Sequence, residues 1–112
     1  MLAKKYRLTK RNDFQSVFKE GKKGFSKFFG IRFKVSGLEN PRIAIVASTK
    51  VSKKAVERNK LRRQTRKAVD VFLPNFKQNV DVIINIMSPS LGQDYSFLEK
   101  ELSLLLKKNK II

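Results

Sequence analysis

From the amino terminus, the first regular spacing of apolar side chains falls at Phe14, Val17 and Phe18. Offsets of three and four place them on one side of a helix, predicting a helix over residues 10–20 that stops at Gly21. Lys22-Lys23-Gly24 then reads as a basic turn. Phe29 to Val35 alternates apolar and polar residues with period two, predicting a strand that buries one face and carries Gly30, Arg32 and Lys34 on the other. A turn cluster at 36–41 leads into 43–47, whose continuous apolar run predicts a central strand. A long helix is predicted over 53–73 and closed by Pro74, with Leu61, Thr65, Ala68 and Phe72 as its buried stripe and Val69 beside it. Residues 80–86 read as a third strand and 88–92 as a loop. A last helix over 94–108 is opened by Asp94 or by a capping box of Ser96 and Glu99, with Leu98, Leu102 and Leu105 inward. Lys107, Lys108 and Lys110 lie at its end, where cations suit the helix dipole. The order α-β-β-α-β-α, without linker or repeat, predicts one mixed α/β domain over residues 1–112.

Charge changes this picture. The chain carries 26 Lys+Arg against 9 Asp+Glu, a formal net charge of +17. The excess lies wholly within residues 1–67; the remainder is balanced. Such self-repulsion opposes compaction, and its concentration in one part of the chain points to a polyanionic partner bound through many phosphates. Solubility alone needs far less charge. The 41% hydrophobic content is enough for a core, so the sequence does not read as disordered. With no Cys and no His, disulfides, thiolate zinc sites, cysteine nucleophiles and the commonest general base are all missing. The basic residues near the start, Lys4, Lys5 and Arg7, precede no apolar stretch, and no apolar run reaches membrane-spanning length. A soluble, cytoplasmic protein without membrane partner or small-molecule cofactor is expected.

The densest chemistry runs from Lys50 to Lys67, with nine cations and a single carboxylate, Glu57. At 100° per residue, Asn59, Arg62, Arg63 and Arg66 share an arc opposite Leu61, Thr65 and Phe72, with Arg58 at its edge. Like charges three and four apart destabilise an isolated helix, and an RNA backbone would convert that repulsion into attraction. Arg offers planar two-pronged contacts to phosphate, and Asn59 can both donate to and accept from a ribose or base edge.

This run resembles the motif of the bacterial ribonuclease P protein subunit family, through Thr49-Lys50, Ala55-Val56, Arg58-Asn59, Arg63 and Arg66. Lys60 replaces an Arg of the family's Arg-Asn-Arg core, keeping charge but not bidentate geometry, and Lys53 stands where Gly is common. Asn12-Asp13-Phe14-Gln15-Ser16-Val17-Phe18-Lys19-Glu20-Gly21 is similar to the family's first helix, and Tyr95, Leu98, Leu105 and Leu106 to its last. The resemblance spans residues 6–108. It implies a two-layer α/β sandwich like the second domain of ribosomal protein S5, with three helices, a four-stranded mixed sheet and a left-handed β-α-β crossover. The fourth strand would lie near 22–26 or split 28–35. It also implies 5′ maturation of precursor tRNA by a ribonucleoprotein whose catalytic RNA subunit holds the Mg2+ ions, with no catalytic or metal-binding residue in the protein and a protein monomeric without RNA.

Two surfaces are then expected. Lys50, Lys53, Arg58, Asn59, Lys60, Arg62, Arg63 and Arg66 are assigned to the RNA subunit. Phe14, Phe18 and Arg32 are assigned to a cleft for the single-stranded leader of the substrate, where rings stack on unpaired bases. Arg32 falls near a position where relatives often carry an aromatic residue, so charge would replace stacking there. Core packing accounts equally well for Phe14 and Phe18, leaving open which is buried. Phe25, Phe28, Phe29 and Phe33 read as core or sheet cover, and Asp81 as a hydrogen-bonded neighbour of a turn. The alternatives are a ribosomal-type structural RNA-binding protein, a DNA-binding regulator, which usually calls for a helix-turn-helix, and a free-standing nuclease, for which no acid/base or metal cluster is visible.

Overall fold

A computed structural model describes residues 3–77 and 79–112. Its elements follow the order α1 (Arg11–Glu20), β1 (Lys22–Phe25), β2 (Phe29–Val35), β3 (Arg42–Val46), α2 (Ala55–Phe72), β4 (Val80–Ile86) and α3 (Tyr95–Lys108). The four strands form one mixed sheet in the order β1-β2-β4-β3. β1 with β2 and β2 with β4 are antiparallel, whereas β3 and β4 run parallel and are joined through α2.

Alternation along the strands divides the sheet into two faces. Phe29 and Ile31 of β2, Ile43 of β3 and Val82, Ile84 and Ile86 of β4 point to one side. There they meet Leu61, Ala68, Val69 and Phe72 of α2 and Leu98, Leu102, Leu105 and Leu106 of α3. Burying each large side chain of this set contributes about 1.5–3 kcal/mol, so this layer contains most of the stabilising area. Thr65 sits inside it because its hydroxyl donates to the Leu61 carbonyl at 2.8 Å. On the opposite face a smaller cluster of Leu8, Val17, Ala44 and Ile83 is covered by α1, with Phe14 packed against it. Helix α1 can end close to the sheet because Gly21 lacks a Cβ, which would stand 2.4 Å from the Val17 carbonyl oxygen and 2.7 Å from that of Phe33.

Three expectations change. Lys22-Lys23-Gly24 is a strand: Lys22 pairs with Phe33 and Phe25 with Gly30, so the fourth strand occupies the first of the two places considered. Four residues with two adjacent lysines carry too little apolar alternation to announce it. The apolar run at 43–47 ends one residue early and forms an edge rather than a central strand. Its continuous apolarity has a different cause: α2 and α1 cover its two faces, and the Leu8 amide donates to the Ile43 carbonyl at 2.9 Å, partly closing the edge. Phe25 covers nothing, being 75% exposed on the α1 side. At the last helix, Asp94 is the cap that forms, accepting from the Phe97 amide at 2.8 Å.

Candidate nucleic-acid interface

Helix α1 covers only half of its sheet face, and three strand cations show where it sits. Arg42 donates to Asp13 of α1 at 3.0 Å and to Asp81 of β4 at 2.7 and 2.8 Å. These hydrogen bonds, those to Asp81 foremost, raise its already high pKa. Asp81 is buried, the core counter-ion of Arg42 rather than a neighbour of a turn. Lys34 of β2 reaches Ser16 at 2.6 Å and Glu20 at 2.9 Å, and this lysine lowers the pKa of the Glu20 carboxyl. Arg32 differs: its guanidinium stacks over the Phe18 ring at 4.9 Å and finds no acceptor among the described residues. Two of the three cations are thus consumed in holding α1 down, and Arg32 keeps its donors for a ligand.

The two rings of α1 part company. Phe14 is half-buried in the small cluster and lines a groove of about 450 Å³ with Arg7, Thr9, Val46 and Arg66. Phe18 is 47% exposed beside Arg32. The groove along β3 therefore joins the α1 side of the sheet to the basic side of α2.

On α2, the buried stripe leaves Asn59, Lys60 and Arg63 exposed, with Arg58, Arg62 and Arg66 half-buried. Arg58 donates to the Ser52 carbonyl at 2.8 Å, and Arg62 bonds Asn59 and reaches the Ala47 carbonyl at 3.5 Å. These arginines fasten the β3–α2 loop, which carries exposed Lys50 and Lys53, to the helix that follows it. Arg63 makes no such bond among the described residues. Lys60 points to the other flank of the helix, into a recess shared with Val56, Gln64 and Leu91.

This arrangement is that of a known family. The ribonuclease P family matches residues 2–110. The chain belongs to that family. A relative from Cyanothece sp. named ribonuclease P protein component is 37% identical, over all of this chain and 98% of its own. One of the same name from Synechocystis sp. is 35% identical over 99% of this chain and 90% of its own. The solved RNase P protein of Staphylococcus aureus superposes with a TM-score of 0.86 at 26% identity, covering 95% of this chain and 96% of that one. That of Thermotoga maritima gives 0.82 at 29% identity, covering 91% and 96%.

Some residues of the ribonuclease P fold here escape a linear reading. Arg7 and Arg42 come from stretches without helical or strand periodicity strong enough to assign a face. Lys23 and Phe25 become neighbours of Arg32 and Gly30 only once β1 is placed. Among the described residues no group of three or more His, Cys, Asp or Glu is placed to hold a metal ion, and no helix is long and apolar enough to cross a membrane.

Proposed function

We propose that this chain is the protein subunit of a bacterial ribonuclease P, a single RNA-binding domain that assists a catalytic RNA in hydrolysing the phosphodiester between leader and mature 5′ end of precursor tRNA. In this reading the Mg2+ ions are held mainly by the RNA subunit and the protein contributes binding. A chain with no His and no Cys, and with Asp13 and Asp81 engaged by Arg42, has little to offer as acid, base or ligand.

Two surfaces divide the work. Lys50, Lys53, Arg58, Asn59, Lys60, Arg62, Arg63 and Arg66, on α2 and the loop before it, bind the RNA subunit. Phe14, Phe18 and Arg32 hold the single-stranded leader, Phe14 as the wall of the groove and Phe18 with Arg32 as its open platform. The observation that carries this division is the stacked Phe18–Arg32 pair, an exposed ring and an arginine without an acceptor, set apart from the α2 arginines. The deciding experiment is cleavage of precursor tRNA by the cognate RNA at modest Mg2+, with and without the protein, beside a protein-only reaction. Strong stimulation with an inert protein-only lane is expected. Absence of stimulation together with tight binding to ribosomal RNA would support the structural alternative.

A further inference from the structure

The half of the sheet face that α1 leaves open is built from the start of β2, the ends of β1 and β4, and the loop after β3. It forms a shallow depression of about 350 Å³ whose lining includes Lys23, Phe25, Gly30, Asn85, Met87 and Lys50. Three features of this floor are unexplained by folding. Phe25 sits in a regular strand yet leaves 75% of its surface in water. Its cross-strand partner is Gly30, a residue that weakens a strand interior. A Cβ there would lie an unstrained 3.9 Å from the Asn85 Cβ and the Met87 sulfur, so packing does not demand the glycine. Asn85, in the middle of a strand, is half-buried and its amide meets no partner among the described residues.

A flat ligand accounts for all three. With no side chain at Gly30, the floor beside Phe25 is open to a planar ring, the Asn85 amide can both donate to and accept from its edge, and the surrounding cations, Lys23, Arg32 and Lys50, have no carboxylate among them. We propose that this depression is a second base-stacking subsite, in which Phe25 stacks on a further unpaired nucleotide of the leader after the strand passes Phe18 and Arg32. The inference rests on the leader assignment of Phe18 and Arg32. Lys23 lies directly across from Arg32 and links the two subsites with positive charge.

The test uses the holoenzyme assembled from this protein and its RNA subunit, with precursor tRNAs whose leaders lengthen one nucleotide at a time. With the wild-type protein, affinity is expected to rise in two stages. Phe25→Ala removes the second stage only, about tenfold in affinity, the order found for one base–aromatic stack. Phe25→Tyr retains it, and Asn85→Ala loses part of it. A Phe25→Ala holoenzyme that follows wild type at every length would overturn the subsite while leaving the Phe18 assignment standing. A wild-type protein without any leader-dependent gain would overturn both. A dimer of the free protein that Phe25→Ala dissociates, with leader affinities unchanged, would give the face to a second copy of the chain instead.

Discussion

The Arg42 guanidinium grips the Asp81 carboxylate with two hydrogen bonds, Nε to Oδ1 at 2.8 Å and Nη2 to Oδ2 at 2.7 Å, across the parallel pair β3 and β4. A third bond from Nη1 to Asp13 brings α1 into the same clamp. The Asp81 side chain is only 8% exposed and that of Arg42 20%, so removing either partner strands a charge in a poorly solvated place. Arg42→Ala is expected to cost about 3 kcal/mol or more in urea unfolding. Asp81→Leu costs less, because Asp13 still answers the arginine. The double variant Arg42→Met with Asp81→Leu should recover much of the loss, since an apolar pair of similar volume carries no desolvation penalty.

That clamp also marks the limit of what the chain discloses along its length. The period-two run at 29–35 and the apolar run at 80–86 match β2 and β4 residue for residue, because burial on a sheet writes itself into local alternation. The stripe Leu61, Thr65, Ala68, Val69 and Phe72 is buried as its spacing requires. Lys22-Lys23-Gly24-Phe25 is a strand only because β2 is there to pair with it, and no local pattern records that. The edge position of β3 likewise follows from chain topology, and Phe25 faces solvent by the register of β1 on β2. The arginine arc of α2 was legible from the helical period. Which of its members keep free donors was not, because the carbonyls of Ala47 and Ser52 that engage Arg62 and Arg58 belong to a loop.

Helix α2 makes the next prediction. Arg63 is exposed and without an internal partner, so Arg63→Ala should leave stability within about 0.5 kcal/mol of wild type. It should weaken assembly with the RNA subunit and reduce the slope of log affinity against log salt by about 1. Arg66→Ala is expected to weaken assembly in the same way. Arg58→Ala and Arg62→Ala remove loop fastenings as well as charge, and should lower both the thermal midpoint and the affinity. Equal loss of stability across all four would contradict the division between free and fastening arginines.

Alkaline stability turns on Tyr95. Burial, and after it the nearby Glu99 carboxylate, pushes its hydroxyl up to about 12 from an ordinary 10.0. The Lys67 ammonium lies 4.5 Å from the ring centroid on the other helix. A raised folded-state pKa means that the unfolded chain ionises first as the pH climbs. The contribution of Tyr95 is therefore complete below pH 10 and drains away between pH 10 and about 12. Urea unfolding of wild type and Tyr95→Phe across this window should show the wild type losing stability faster. Parallel curves would place the tyrosine in an environment no different from water.

The Phe18–Arg32 stack gives the clearest separation of the two surfaces. Arg32 lies 4.9 Å over a ring that is 47% exposed, so a leader nucleotide can approach both without rearranging the core. Stacking of one base on an aromatic ring is worth about 1–3 kcal/mol, so Phe18→Ala in the holoenzyme should weaken binding of leader-bearing precursor tRNA by roughly 5- to 100-fold. Binding of the leaderless tRNA and assembly with the RNA subunit should be unchanged, since Phe18 adds little to the core that Val17 fills. Arg32→Ala removes a charge rather than a stacking platform. It should lower the salt slope of leader binding by about 0.7, the value for one contact to a single strand. Arg32→Lys should restore that slope, because charge alone sets it, while losing the planar stack on Phe18. A loss of RNA-subunit affinity in Phe18→Ala as large as that in Arg63→Ala would merge the two surfaces into one.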